Sequence, residues 1–525
     1  MHCTCVRHAD LPNTSRIFND LTVHYDRVAD LYPFPTNNLG AIRRAAVFDF
    51  PAERRAAAVA ALRPLNAGNP SLEKLAQDGT VAIITGQQVG LFSGPVYTIY
   101  KALTAIRIAS DLNASGIPAV PMFWLATEDH DFAEVDHAFV FGPGHHPVKL
   151  RLEADGGNAP RPVGNRTILH APIDELRKAL AGLPFADEAI ALAERAYAPG
   201  ETLGSAFANM LRELFADYGL LLIDPMQTSL RELAAPFIRQ AVEQMPELVQ
   251  GVMARSAELV RRGYHAQVLV DNQTSLVFAL RDGERIALHR QADNFSAGSR
   301  KWTTAELAGS AEQLSPNALL RPVAQDYMFP TAAYVGGAAE LAYLAQSAVL
   351  YEQLLGRRPV AFPRAGFTVI DERAAKRMAK YRLSPTELFR PERELQETLA
   401  ARLVPAALRH KIEATQSVVR NALDGLDAEL RQFDVSQSKA LATSRRKIEH
   451  QMAKTARKIS MQILAKDQES ARDTASLSGL AFPDGHLQER VYSVLPFIAR
   501  YGMGFVKDIY EQVRVECPDH QFAVA

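Results

Sequence analysis

The sequence predicts an α/β fold: a doubly wound core with insertions, followed by a helical coiled coil. Three observations carry this reading. Apolar runs of strand length end in polar or glycine residues and alternate with helical periodicity over residues 1–370. Residues 81–126 follow the order strand, turn, helix, strand. From about residue 371 the composition shifts to Ala, Lys, Arg, Glu and Gln with long helical periodicity.

In the first unit, Val81-Ala82-Ile83-Ile84 opens a strand over residues 81–85. The turn in "TGQQVGLFSGPVYTIYKA" carries Gly86, Gly90 and Gly94, and a helix follows from about Val96 to Leu112. Pro95 stands in its first turn, where a missing N–H costs nothing, and Ile99, Leu103 and Ile106 recur at helical spacing. Gly116-Ile117-Pro118 ends the helix and a second strand runs over residues 119–126, parallel to the first as such a crossover requires. Leu220-Leu221-Leu222-Ile223, Ala332-Ala333-Tyr334-Val335 and Val360-Ala361-Phe362 read as further strands of the same sheet, with the helical pattern 338–355 between the last two. Insertions are expected at about 138–215 and 240–320. The first carries loop signals such as "FGPGHHP" and "GGNAPRPVG", and the second contains "SLVFALRDGERIALHR", a hairpin turning at Asp282-Gly283.

Residues 371–478 read as the coiled coil. Leu423, Leu426, Leu430 and Phe433 form one seam and Ile448, Met452, Thr455 and Ile459 another, flanking "DVSQS". Either an antiparallel hairpin or one interrupted helix fits, and dimerisation through the seam is expected. Residues 479–525 are too apolar for a free tail and are expected to pack on the core as a helical segment.

Composition excludes several classes. Lys and Arg total 58 against 59 Asp and Glu, so no global field draws the chain to nucleic acid, and Arg445, Arg446, Lys447, Lys454, Arg457 and Lys458 read as a solvated face. Apolar stretches such as 117–126 fall short of the ~20 residues of a membrane span, and the polar start lacks a signal-peptide centre; a cytoplasmic protein is expected. The cysteines, Cys3, Cys5 and Cys517, are too few for a disulfide framework. His2, Cys3, Cys5 and His8 are metal-ligand types, yet a C-x-C at a terminus reads as a frayed tail, and no metal site is expected.

Ligands of a parallel sheet bind outside the carboxyl ends of its strands. There lie Thr85, Gly86, Gln87 and Gln88 with Gly94, and Glu128, Asp129, His130 and Asp131 beside Trp124. The second run suits ribose or amine binding, magnesium ligation or proton transfer, although Asp131 ahead of Glu134 also fits an acidic helix start. His137, seven residues after His130, would share a helix face with it. A third group, Arg321, Gln325, Asp326, Tyr334, Gly336, Gly337 and Glu340, belongs to the later strand–helix unit. Lys101 reaches a phosphate only if its helix tips over the site; otherwise it is a surface lysine. The turn matches neither GxxxxGK[ST] nor GxGxxG, which counts against a kinase or an oxidoreductase.

"ITGQQVGLFSGPVYTIYKAL", "VPMFWLATEDHDFAEVDH", "GYHAQV", "SPNALLRPVAQDYMFPTAAYVGGAAELAYLAQ", "FPRAGFTVID" and "LQERVYSVLPFIARYG", spread over residues 83–502, together resemble the cysteine-adding enzymes of bacillithiol biosynthesis, also called cysteine ligases. The resemblance implies a Rossmann-like core related to the class I aminoacyl-tRNA synthetase nucleotidyltransferases, with connecting-peptide insertions and a coiled-coil homodimer. It implies ligation of cysteine to glucosaminyl malate through an ATP-activated carboxylate, with Mg2+ expected. On this reading Thr85, Gly86, Gln87, Gln88, Gly94, Tyr97 and Lys101 hold the nucleotide, Glu128, Asp129, His130 and Asp131 carry the chemistry, and Trp124, Gln325, Asp326, Tyr334, Gly336, Gly337 and Glu340 bind substrate. Neither a HIGH-type nor a KMSKS-type signature occurs, so activation as adenylate or as acyl-phosphate stays open. The rival reading is a nucleotide-binding coiled-coil sensor or scaffold without turnover.

Overall fold

The computed structural model describes residues 1–157, 159–291 and 294–525; Asn158, within the expected loop "GGNAPRPVG", lies outside them. The chain forms two compact units. One comprises Met1–Pro143, Pro147–Thr368 and Glu489–Ala523, the other Gly144–His146, Val369–Gln488 and Val524–Ala525.

The first unit is built on five strands, β1 (Val81–Gln87), β2 (Ala119–Leu125), β3 (Leu221–Ile223), β4 (Thr331–Gly336) and β5 (Val360–Pro363). They lie in the order β5-β4-β1-β2-β3, all parallel. Their residues are buried apart from the terminal Gln87, as continuous apolar runs require when both faces of a sheet are covered. Helix α1 (Tyr97–Ala114) crosses from β1 to β2, α2 (Arg321–Met328) precedes β4, and α3 (Ala338–Leu354) joins β4 to β5. Strand order reverses between β1 and β4, so their carboxyl ends flank a crevice at the topological switch point.

The insertions are more regular than their loop signals imply. His137–Phe141 and Pro147–Arg151 form a hairpin, followed by helices Ile173–Leu180, Ala186–Ala196 and Leu203–Leu214. The second insertion folds as an antiparallel sheet in the order Arg300–Thr303, Asn294–Ala297, Glu284–Gln291, Thr274–Arg281, Leu314–Pro316. Its hairpin turns at Asp282 and Gly283, whose φ of 53° and 78° are the left-handed pair a two-residue turn needs. The terminus is not a frayed tail: His2–Val6 is a strand beside His520–Val524, and the His8 ring packs edge-on against Phe18. The end of the chain is helical at Leu495–Tyr501 and Phe505–Gln512 but closes as that strand. Within the same unit, Tyr492 O accepts from Val96 N–H at 2.7 Å and Ala499 O from Phe185 N–H at 2.7 Å.

In the second unit, α4 (Glu392–Leu403), α5 (Ala406–Phe433), α6 (Val435–Lys466) and α7 (Gln468–Ala481) follow in series. Asp434 ends α5 with φ −161° and caps α6 through the Ser436 N–H. The chain reverses there, because Ser438 donates to Asp427 and Arg445 pairs with Asp424. Of the two arrangements the sequence permits, the antiparallel hairpin is the one formed. Ile412, Ile448, Met452, Thr455 and Ile459 line a groove of about 520 Å3 between the two helices. Leu426 and Phe433 are exposed. No helix among the described residues is long and apolar enough to cross a membrane.

Candidate active site

Each glycine of the first turn answers a packing demand. A Cβ on Gly86 would stand 2.9 Å from Trp124 Cβ and O, its partner in β2, and one on Gly90 would stand 3.0 Å from Gly94 Cα. Phe92, Ser93 and Gly94 take φ of 51°, 72° and 63°, a left-handed run that turns the chain sharply into α1. The Thr85 hydroxyl donates to Val335 O at 2.8 Å and is fully buried, and Val96 N–H at the head of α1 is taken by Tyr492. The turn is therefore not an open phosphate cradle: Thr85, Gly86 and Gly94 shape it, while Gln87, Gln88 and Tyr97 present partly exposed side chains.

Lys101 is not a surface lysine. At 2% exposure its ammonium donates to Gly86 O (2.9 Å) and Gln87 Oε1 (2.8 Å) and pairs with Glu340 across the crevice. Burial pushes its pKa down and the Glu340 charge opposes that push. Burial works to raise the Glu340 pKa, but the Lys101 charge, the Gly337 N–H and the Tyr334 hydroxyl hold it below the usual glutamate value. Arg321 donates to Tyr334 OH (3.1 Å) and Tyr343 OH (3.2 Å). Arg364 is anchored by Glu489, and the guanidiniums of Arg364 and Arg490 lie 5.1 and 5.8 Å from the Tyr97 ring centre. Lys101, Arg321, Arg364 and Arg490 thus gather cationic donors at a glycine-paired strand end, chemistry suited to phosphate oxygens.

The acidic run leaves β2 on the same side. Glu128 is buried and accepts from Ser315 Oγ at 2.8 Å; desolvation raises its pKa, opposed by Arg285. Arg285 donates through Nε to Ser315 Oγ (3.1 Å) and through Nη2 to Pro316 O (3.2 Å), and its Nη1 lies 3.3 Å from His130 Nδ1 and 3.6 Å from Asp129 Oδ1. Donation from Arg285 requires an unprotonated His130 Nδ1. Burial lowers the Arg285 pKa, offset by Glu128 and Asp129, and its guanidinium rests 3.8 Å from the Phe278 ring centre. The Gln88 amide donates to Asp129 Oδ2 (2.8 Å) and Glu134 Oε2 (2.7 Å), so turn and acidic run form one continuous polar wall.

Several expected residues fall elsewhere. Asp326 sits near the amino end of β4, where its carboxylate accepts from Tyr351 OH at 2.6 Å while Arg357 donates to Asp326 O and Thr331 O; that is the wrong end of the strand for a ligand. Gln325 is fully buried, its amide donated to Asp326. Asp131 is exposed at the head of the short helix Phe132–Val135 without capping it, and His137 begins a strand bonded to Asp136, so it shares no helix face with His130. Trp124 is 2% exposed, its Nε1 without a hydrogen-bond partner among the described residues, beside a cavity of about 30 Å3 that Glu128 also lines. Among the described residues no group of three His, Cys, Asp or Glu is placed to hold a metal. Arg285, Ser315, Arg364, Glu489 and Arg490 were not singled out by sequence reasoning. Arg364 carried a usable signal, a cation directly after the apolar run of β5; Arg285 is the second residue of an inserted strand and carried none.

Two family models match this chain: the N-terminal Rossmann-like domain of Bacillithiol biosynthesis BshC over residues 1–365, and its C-terminal coiled-coil domain over residues 367–524. Proteins named "Putative cysteine ligase BshC" are similar throughout. That of Solibacter usitatus is 50% identical over 525 residues, covering 100% of both chains. That of Koribacter versatilis is 33% identical and covers 98% of each, and that of Salinibacter ruber is 30% identical, covering 96% of this chain and 95% of its own.

Proposed function

The chain belongs to the bacillithiol biosynthesis BshC family, and from that premise we propose that it joins the carboxyl of cysteine to the amine of glucosaminyl malate, with ATP and Mg2+ activating the carboxyl. What supports the proposal is the Gln88 amide, which bonds Asp129 from the same turn whose Gln87 accepts from Lys101, so that the cationic crevice and the Glu128–Asp129–His130–Arg285 cluster lie along one wall. An amide does not form from a carboxylate and an ammonium in water without activation. Arg321, Arg364 and Arg490 would bind and orient phosphate oxygens, while Lys101 fixes the β1 turn against Glu340. Glu128, a stronger base for being buried, would take a proton from the attacking amine, with Ser315 holding its carboxylate and Arg285 holding Ser315. Asp129 would orient an ammonium group. A cytoplasmic location belongs to the same reading.

The test is mass spectrometry of the full-length protein incubated with ATP, Mg2+, cysteine and glucosaminyl malate. The expected result is a thiol amide product formed with AMP, which assigns an adenylate, or with ADP, which assigns an acyl-phosphate. Nucleotide bound without turnover would move the reading to a sensor. We also propose that the apolar groove of α5 and α6 is the homodimer seam. Ile448→Asp and Met452→Asp should shift the sedimenting species to half mass, and an unchanged mass would reject the seam.

A further inference from the structure

The chain contains three cysteines, and the fold brings two of them together from its opposite ends. Cys5 lies on the first strand, His2–Val6, and Cys517 three residues before the last strand, His520–Val524. Their Sγ atoms stand 3.9 Å apart across 512 positions of sequence, both thiols free, Cys5 exposed and Cys517 half-buried. A disulfide needs ~2.05 Å between sulfurs, so the 3.9 Å pair has to approach by about 2 Å to close. Cys3, two residues before Cys5, projects from the same face of the strand, but the contact with Cys517 is made by Cys5. Burial and the neighbouring thiol hold Cys5 in its protonated form, opposed by the Arg514 charge. The contact is accessible, and nothing in the crevice chemistry uses it.

We propose that Cys5 and Cys517 form a thiol–disulfide exchange site that closes on reaction with a low-molecular-weight disulfide. One cysteine, as its thiolate, attacks a sulfur of R′S–SR′; the R′S–SR′ bond breaks, a mixed protein disulfide forms and R′S⁻ leaves. The second cysteine then attacks the protein sulfur of that mixed disulfide, forming Cys5–Cys517 and expelling the other R′S⁻. The two protons lost by the protein appear on the two R′SH, and the two electrons gained by the small disulfide come from the protein thiols. The closed pair ties the first strand to the segment that carries His520. That side chain is buried against Thr368 Oγ1 at 2.9 Å, and its Nδ1 would lie 2.7 Å from a Cβ on Gly366, so the tether acts on a tightly packed strand.

The test uses the reduced full-length protein and excess hydroxyethyl disulfide, read by intact mass and non-reducing peptide mapping. Wild type should lose two hydrogen masses, yield a crosslinked peptide pair containing Cys5 and Cys517, and melt at a higher temperature once oxidised. Cys3→Ser should close in the same way. Cys5→Ser and Cys517→Ser should fail to close and stop at a mixed disulfide on the remaining partner. A wild-type protein that stays unmodified, that keeps a stable adduct without closing, or that bridges through Cys3 or between chains would overturn the assignment.

Discussion

Two ion pairs in this molecule join the same kinds of charge under opposite conditions. Lys101 and Glu340 meet in the crevice with side chains 2% and 21% exposed, whereas Arg445 and Asp424 meet on the coiled coil at 29% and 54%. The first pair is embedded in a network in which each donor and acceptor has a second partner; the second is surrounded by water. The difference teaches that pairing alone does not mark a functional residue. What marks the crevice is that its charges are costly to leave alone. Removing one member of a buried pair strands the other, at about 3–5 kcal/mol, while exposed pairs contribute about 0–1 kcal/mol.

The largest expected effect therefore comes from Lys101→Met. It strands the Glu340 carboxylate and removes the donor to Gly86 O and Gln87 Oε1, so it should cost about 3–5 kcal/mol in urea unfolding as well as ligase activity. Adding Glu340→Gln should recover part of the stability but not the activity. If the single variant unfolds at the wild-type midpoint, the crevice pair is no more than a surface pair and the contrast fails.

Glu128→Gln sharpens the same contrast on the chemical side. On the proposed role for Glu128, the substitution should lower turnover by about 10²–10⁴-fold while leaving the fold intact. Burial raises the Glu128 pKa, so wild-type activity should fall on acidification through a value above the ordinary glutamate range, and that acid limb should vanish in the variant. A limb that persists would assign the base to another group.

How much of this was legible beforehand follows from which interactions are local. The strands could be read because a sheet covered on both faces needs continuous apolar runs, and Val81–Gln87 and Ala119–Leu125 supply them. The hairpin at Asp282-Gly283 was legible for the same reason, since its φ angles depend on two adjacent residues. Of the two readings open for Lys101, the surface lysine is the one that fails, and its helix carried the clue: Ile99, Tyr100, Ala102 and Leu103 surround it with apolar neighbours and leave no wet face there. Arg285 was illegible because its partners Glu128, Asp129 and His130 lie about 155 positions away and are met only when the inserted sheet folds over the end of β2. The glycines of the turn were noticed for the right geometry, but the sequence could not separate the causes, since backbone packing against Trp124 and a left-handed run leave the same trace as a ligand cradle.

A smaller effect is expected at His520, which burial keeps neutral with its pKa lowered from 6.5 to about 4. A depressed histidine pKa gives stability that is present above the unfolded value and lost as pH falls. The protein should therefore weaken between pH 6.5 and about 4, by about 3 kcal/mol at 1.36 kcal/mol per unit. His520→Asn should flatten this window in urea unfolding measured at successive pH values. An unchanged acid slope would show that the charged ring finds a partner when it protonates, for which the Glu489 carboxylate is placed.

The smallest effect belongs to Arg445→Ala. Its guanidinium reaches both Asp424 on α5 and Glu449 one turn along α6, yet each contact is open to water and screened by salt. Removing it should move the urea midpoint only slightly, and most of that loss should disappear in high salt. A double-mutant cycle with Asp424→Ala isolates the interhelical pair from the helix-local one. A coupling near that of a buried pair would mean that Arg445 and Asp424 are covered in solution. Only a second surface laid over the α5–α6 hairpin could do that, so the weakest charge contact in the comparison also reports on the proposed dimer seam.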